Sequence, residues 1–160
     1  MKFVEKRLVF LEKSWLKAIL GFWIVLISFS VINDISKDYV PVENWYEIRS
    51  VYVADADYPN SPSMVIDRTI HEAVRGNWIV TVMKQREDSD QFFLHCTAVG
   101  TADYTPKNVL PLTVDLDWWT WPLKCELPVG TYYISTLHIF HPEGYPFKES
   151  RISSNIFNIH

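Results

Sequence analysis

The hydrophobic and polar positions divide the chain into one unbroken apolar run and a series of short alternating runs. No residue from Ala18 to Asn33 is charged, and Leu16 extends this run past a single interruption at Lys17. The resulting segment, 16–33, has a length at the lower end of the roughly 17–25 residues that span a bilayer. It is apolar on every face, whereas a surface helix of a soluble domain keeps a polar face. The pattern therefore predicts one transmembrane helix.

The charges on the two sides of this helix predict its direction. Residues 1–17 carry five basic and two acidic side chains, whereas residues 34–43 carry three acidic and one basic. Because basic flanks stay in the cytoplasm, residues 1–17 are predicted to be cytoplasmic. Residues 34–43 form a polar linker, in which Pro41 disfavours a helix. Residues 44–160 then form a periplasmic domain of a single-pass protein of the bacterial inner membrane.

The apolar run has two interpretations, a permanent anchor and a cleaved signal. Ser28-Phe29-Ser30 is a pattern of small residues that a signal peptidase accepts. The basic segment before the run is long for a signal peptide, however, and Val31 and Ile32 continue the run past this position. An uncleaved anchor is the preferred interpretation, with a cleaved signal as the alternative.

After the linker, apolar and polar residues alternate in short runs that turn residues separate. Phe92, Leu94, Cys96 and Ala98 share one face of such a run. The predicted strands are Trp45–Val53, Met64–His71, Asn77–Lys84, Phe92–Val99, Leu112–Trp118, Thr131–Phe140 and Arg151–Ile159. About seven short strands in this length are typical of an immunoglobulin-like β-sandwich, with a small barrel as the alternative. The predicted fold is an all-β sandwich preceded by one transmembrane helix.

The composition restricts the class of protein further. The chain is 48% hydrophobic and 21% charged, and it contains 7 tryptophans, which is too apolar for a disordered chain. Its formal net charge is −4, and the basic excess lies in the first 17 residues, so the exported domain is acidic. Nucleic-acid binding depends on clustered lysine and arginine side chains. Nucleic acid is therefore not an expected partner.

Both cysteines lie in the exported domain. Cys96 points to the predicted core face of its strand, and Cys125 shortly precedes a Leu-Pro-Val-Gly turn. Cysteine pairs usually oxidise in such a compartment, and closing a loop of about 30 residues contributes a few kcal/mol. We predict a disulfide between Cys96 and Cys125, with two buried thiols as the alternative. Two cysteines alone rarely form a metal site.

The most unusual stretch is TVDLDWWTWP at residues 113–122. In a strand, one face of this stretch would carry apolar core side chains. The opposite face would carry Asp115, Asp117, Trp119 and Trp121. Indoles beside carboxylates are typical of surfaces that stack on sugar rings or anchor a protein partner. These four are the candidate binding residues, and burial of the indoles under a loop or at the membrane surface is the structural alternative.

Patterns for metal binding and catalysis are weak. The candidate calcium ligands are Asp55, Asp57, Asp103, Asp115 and Asp117, and their spacing is not that of a calcium-binding loop. His138 and His141 are three residues apart, which places them on opposite faces of a strand. The chain lacks Gly-x-Ser-x-Gly and His-Glu-x-x-His motifs and a phosphate-binding glycine loop. The triad candidates Ser63, Asp67 and His71 are dispersed. We expect no metal, cofactor, catalytic residue or enzyme activity.

Several segments together resemble one group of proteins. They are the basic N-terminal helix, YPNSPSMVIDRTI at 58–70, DWWTWP at 117–122, and the LPVGTYYISTLHIF…SNIF pattern that begins at Leu127. The combination resembles uncharacterised membrane-anchored proteins encoded by tailed bacteriophages of marine bacteria. The resemblance covers most of the exported domain and implies a phage-encoded envelope protein, without implying any catalytic residue.

These observations predict a membrane-tethered, non-enzymatic interaction module in the periplasm. Its expected partners are the lipid bilayer, through residues 16–33, and an envelope protein. A phage-encoded module of this kind would act in lysis, in superinfection exclusion or in penetration of the cell. The alternative is a carbohydrate- or peptidoglycan-binding domain that uses the carboxylates and indoles of residues 115–121.

Overall fold

The computed structural model describes residues 2–106, 112–116 and 125–160. The chain divides into two compact units, Met1–Val40 and Pro41–His160. The first unit is helical, and the second consists of antiparallel strands in two sheets. The structure therefore confirms a β-rich part that follows one N-terminal apolar helix.

The first unit is a single helix, α1, Lys2–Asp38. It contains a 24-residue candidate membrane span, Trp15–Asp38, whose most apolar 18 residues have a mean hydropathy of 2.1. None of the most apolar part of this segment is buried within the structure, as expected of a helix whose partner is lipid rather than protein. By length and composition, this helix could cross a membrane.

Helix α1 ends later than the sequence pattern predicts. It continues to Asp38, so residues 34–38 of the predicted linker are helical. The Lys37 ammonium lies 3.4 Å from the Asp34 carboxylate one turn earlier, and such pairs favour a helix. A 3₁₀ turn, Val42–Asn44, follows Pro41. The helix therefore ends because of Pro41 and not because of the polar residues that precede it.

The β domain, residues 41–160, contains eight strands in its described part. They are β1 Tyr46–Val53, β2 Ser63–Ile70, β3 Val74–Gln85, β4 Phe92–Tyr104, β5 Leu112–Asp115, β6 Gly130–His141, β7 Lys148–Ser153 and β8 Phe157–Ile159. One sheet has the order β1-β2-β5, and the other has the order β4-β3-β6-β7. Strand β8 pairs with the beginning of β6, and β7 pairs with its end. All pairings between these strands are antiparallel.

The two sheets share one hydrophobic core. The three-stranded sheet contributes Val51, Val53, Met64 and Ile66, and the five-stranded sheet contributes Val80, Val82, Tyr132, Ile134 and Phe157. Each set alternates with more exposed residues along its strand, which is the pattern of strands that are covered on one face. The alternation seen in the sequence therefore comes from packing of one sheet against the other.

Strands β3 and β4 are longer than predicted because two glycines lie inside them. The predicted strands Asn77–Lys84 and Phe92–Val99 stop beside Gly76 and Gly100, yet both glycines belong to the β3–β4 ladder. A Cβ atom at Gly76 would lie 2.9 Å from Cδ1 of Phe140, and one at Gly100 would overlap the Trp78 indole. Both positions need glycine because an aromatic ring packs on the strand backbone, so the breaks at these residues were wrongly predicted.

Strand β4 also departs from simple alternation. The ladder shifts register between Val82 and Met83, which pair with Cys96 and Leu94 respectively. The extra residue, His95, reverses the face to which the preceding side chains point. Leu94 is consequently 59% exposed, although alternation had placed it on the same face as Cys96.

The last predicted strand, residues 151–159, is two strands. Asn155 interrupts it, and the Asn155 side chain accepts a hydrogen bond from the Val53 N–H (2.8 Å) and donates one to the Val53 carbonyl (2.9 Å). These bonds satisfy backbone groups at the end of β1. The amide of Asn155 thereby links the two sheets.

Candidate functional site

Of the four candidate binding residues, the structure describes one. Asp115 is the last residue of β5 and pairs with Ser63 of β2. Its side chain is exposed, whereas the next residue, Leu116, is fully buried. These two residues alternate as the sequence pattern predicts. Asp117, Trp119 and Trp121 lie outside the described residues, so their role stays a prediction.

The residues on either side of this stretch are held by the β domain. The Leu116 N–H donates a hydrogen bond to the Pro62 carbonyl (3.0 Å) beside the three-stranded sheet. Cys125 lies at disulfide-bonding distance from Cys96 on β4 of the five-stranded sheet, with a Cα–Cα distance of 6.2 Å. Residues 117–124 therefore connect fixed positions on the two sheets.

The segment after Cys125 is held along β4 as well. Nε2 of His95 lies 2.7 Å from the Glu126 carbonyl oxygen, within hydrogen-bonding distance. His95 is the bulge residue of β4. The bulge thus has a structural role, because it turns the imidazole towards the chain that returns from residues 117–124.

The structure separates the dispersed triad candidates. Ser63 begins β2 and His71 follows its end, so the extended strand places them about 26 Å apart. The Asp67 carboxylate accepts a hydrogen bond from Nε of Arg49 (3.0 Å) and a second bond from its Nη2. The hydrogen bond from Arg49 lowers the pKa of Asp67. These three residues therefore do not form a triad within the chain.

The candidate metal ligands are also dispersed. The Asp55 carboxylate accepts a hydrogen bond from the Asn158 N–H (2.6 Å), so it holds the C-terminal strand. His138 is 1% exposed, whereas His141 is exposed at the end of the same strand. No group of three or more potential metal ligands occurs among the described residues.

A charged network lies on the outer face of the three-stranded sheet. Arg49 links the Asp67 carboxylate to the Thr69 hydroxyl (2.8 Å), and its Nη1 lies 3.5 Å from the Glu47 carboxylate. His71 lies 3.6 Å from that same carboxylate. All of these charged groups are partly solvated, and exposed pairs of this kind contribute little to stability.

A polar and aromatic cluster lies between the sheets at the end where β1 begins. We call this end of the β domain the linker end, because residues 41–45 enter the domain there. The cluster consists of Tyr46, Arg68, Tyr104, His138 and Phe140. The Arg68 guanidinium carbon lies 5.9 Å and 5.6 Å from the centroids of the Tyr46 and Tyr104 rings, a cation–π arrangement.

This cluster strongly changes the titration of its members. Burial, and secondly the positive charge of Arg68, lowers the pKa of His138 to about 4. Burial raises the pKa of both Tyr46 and Tyr104. Nδ1 of His138 lies 3.3 Å from the Tyr104 hydroxyl, and Nε2 has no hydrogen-bond partner within the described ranges. His138 is therefore neutral in the folded protein at physiological pH.

Sequence reasoning missed this cluster, although part of its signal was present. Arg68 alternates in phase with the core residues Met64 and Ile66, so the period of two places its side chain on the inner face. An inward arginine needs a compensating environment. Two tyrosine rings supply it here, from β1 and β4, and no local pattern in β2 indicates them.

The loop between β6 and β7 covers the linker end of the β domain. The Tyr145 N–H donates to the Pro142 carbonyl (3.2 Å), and Gly144 has a φ of +76° within this turn. The turn places the Tyr145 ring edge-on against buried Trp45, with 4.9 Å between centroids. Tyr145 remains 41% exposed, and nearby Phe147 is 62% exposed.

Strand β4 presents apolar side chains at the edge of the five-stranded sheet. In the part of the chain that the structure covers, it pairs with β3 alone. Phe93, Leu94 and Val99 are 42%, 59% and 62% exposed. Long edge strands with exposed apolar residues readily pair with other chains, which makes β4 a candidate contact surface.

No protein-family model matches the chain, and no curated protein matches it at a significant level of similarity.

Proposed function

We propose that the chain is a membrane-tethered, non-enzymatic interaction module. Helix α1 anchors it in the bacterial inner membrane, with residues 1–17 in the cytoplasm and an immunoglobulin-like β-sandwich in the periplasm. The observation that carries this proposal is the exposed apolar helix, which is followed within a few residues by a β domain containing a cysteine pair at bonding distance. Disulfides persist in exported compartments and rarely in the cytoplasm.

Two structural features support an immunoglobulin-like domain. The two antiparallel sheets share one core, as in a sandwich. Tyr132, near the start of β6, donates its hydroxyl hydrogen to the Pro128 carbonyl four residues upstream. A tyrosine that bonds back to the preceding corner is a feature of such domains.

The proposed function is contact with another envelope protein. Support comes from the exposed apolar side chains along the edge of β4. The resemblance of the quoted segments to phage proteins extends the proposal: the chain is phage-encoded and acts at the host envelope in lysis, superinfection exclusion or penetration.

The topology predicts a clear difference between two reporters. Alkaline phosphatase fused after His160 should be active in a bacterial host, because this enzyme becomes active only after export. Green fluorescent protein at the same position should not fluoresce, because it becomes fluorescent only in the cytoplasm. Matched fusions after Ser14 should show the opposite pattern, since the positive flank stays inside. A fluorescent fusion after His160 would contradict the proposed topology.

A second proposed function is binding of a glycan such as peptidoglycan through Asp115, Asp117, Trp119 and Trp121. It is favoured by the fixed positions of Leu116 and Cys125 on either side of residues 117–124, since a segment held at both ends loses less conformational entropy on binding. The double substitution Trp119→Ala and Trp121→Ala should abolish retention on peptidoglycan, because stacking on the indoles would be lost. The control is Trp45→Phe, which changes a buried indole elsewhere; normal retention of the double variant would exclude this function.

A further inference from the structure

We propose that the loop between β6 and β7 contacts the membrane interface through the rings of Tyr145 and Phe147. This inference rests on the proposed anchor, because it requires α1 to lie in the bilayer. It adds a second point of membrane contact, which would restrict the orientation of the β domain at the membrane surface. The partner is the headgroup and upper acyl region of the bilayer.

The first argument is the length of chain between anchor and domain. Helix α1 ends at Asp38, and Trp45 is already buried in the β domain. Trp45 lies seven positions after Asp38, so the Cα atoms lie at most about 25 Å apart even in a fully extended chain. Part of this connection is a 3₁₀ turn, which shortens the reach. The linker end is therefore the part of the β domain held nearest to the membrane.

The second argument is the position of the loop at that end. Tyr145 packs against Trp45, the residue at which the chain enters the domain. Phe147 immediately precedes Lys148, which pairs with Phe140 at the end of β6. Both exposed rings are thus attached to the same end of the β domain as the linker.

The third argument is the rigidity of the loop. Pro142 is buried and Pro146 is half-buried, and the turn between them is closed by the hydrogen bond from Tyr145 to Pro142. Gly144 supplies the positive φ that this turn requires. Because two prolines and a closed turn restrict the conformations of the loop, the exposure of Phe147 is a fixed property of the fold.

The chemistry of the loop fits a membrane interface better than a charged ligand. Residues 142–147 contain one charged side chain, Glu143, and are flanked by His141 and Lys148, so the loop presents no basic cluster for anionic headgroups. Aromatic rings are enriched where membranes meet water. Tyr39, which follows the end of α1, is 81% exposed and belongs to the same class of residue. Contact by aromatic rings, unlike contact by basic residues, should depend little on salt.

Three phenylalanines allow a matched test in the full-length protein. Phe22 of α1, Phe147 of the loop and Phe93 of β4 are each replaced, one at a time, by the photo-crosslinking residue p-benzoylphenylalanine. The protein is reconstituted in phosphatidylcholine vesicles that contain an alkyne-tagged lipid, and lipid labelling after irradiation is measured. Phe93 pairs with Lys84, whereas Phe140 pairs with Gly76, which places Phe93 about 26 Å along the sheet from the linker end.

We expect strong labelling at Phe22, labelling at Phe147 several-fold above that at Phe93, and the same ratio at high salt. Labelling at Phe22 alone would overturn the inference and leave the anchor intact. Absence of labelling at Phe22 would contradict the anchor itself. Equal labelling at Phe147 and Phe93 would show random encounters with lipid and would also overturn the inference. A near-UV circular dichroism spectrum like that of the wild type establishes that each variant has folded.

Discussion

Replacing Cys96 and Cys125 together by alanine should lower the free energy of unfolding of the β domain by about 3 to 4 kcal/mol. The two residues are 29 positions apart, and opening a loop of this length restores chain entropy to the unfolded state. Alanine is preferred over serine because both sulfur atoms pack against the hydrophobic core, where a hydroxyl would be poorly solvated. The measurement is urea unfolding of the full chain in detergent micelles, followed by near-UV circular dichroism.

Reduction provides the matched control for this substitution. Wild-type protein treated with dithiothreitol should lose a similar amount of stability, whereas the double variant should not respond to the reagent. The expected loss is large relative to the 5–15 kcal/mol that stabilises a typical domain. Unchanged stability in the double variant, or wild-type protein that does not respond to reduction, would contradict a disulfide that constrains the unfolded chain.

The same bond also affects the predicted binding residues. Cys125 is the first described residue after 117–124, and Cys96 fixes it to β4. If residues 115–121 bind glycan, the cysteine variant should bind more weakly even under conditions in which the β domain remains folded, because one attachment point of the segment is lost and binding then costs more conformational entropy.

The sequence was most informative where one local pattern was sufficient. Helix α1 was predictable because an apolar run without a polar face has no place on the surface of a soluble domain. The strand pattern was predictable because Val80, Val82, Ile134 and similar residues alternate with polar ones. With two cysteines in the chain, one intramolecular pairing was possible.

The sequence was misleading where a residue had a tertiary role. Gly76 and Gly100 resemble turn residues, yet they lie within strands because Phe140 and Trp78 pack on them. The bulge at His95 depends on the pairing register of two strands, and a single strand does not specify its register. The helical ending at Asp38 shows that polar residues alone do not end a helix.

The cluster at the linker end was hidden for a similar reason. Alternation along each strand shows on which face Arg68 and His138 lie, and both side chains point inwards. Their neighbours come from β1 and β4, however, so the cluster exists only after the two sheets pack. The opposite holds for the candidate residues Asp117, Trp119 and Trp121. Their sequence pattern is distinctive, but they lie outside the residues that the structure describes.

Acidification from pH 7 to pH 4 should destabilise the β domain by about 3 kcal/mol through His138 alone. Burial, and secondly Arg68, lowers the pKa of His138 to about 4 from an ordinary value of 6.5. Between these two values the unfolded chain binds a proton that the folded protein does not, so stability falls as the pH falls. Above about pH 7 the contribution is constant. The free energy of unfolding, measured in urea at a series of pH values, gives the slope.

Two variants separate His138 from the other acid-sensitive groups. The substitution His138→Phe keeps a ring stacked on Phe140 and should flatten the stability profile between pH 6.5 and about 4, whatever its effect at pH 7. Arg68→Met removes the positive charge that helps to lower the pKa of His138, so the loss of stability should end at a higher pH and be smaller in total. The Asp67 carboxylate, whose pKa Arg49 lowers, stabilises the fold above the ordinary carboxyl pKa and loses this contribution only below it, so it leaves this window unaffected. An unchanged profile in both variants would mean that His138 is not the group that senses acid.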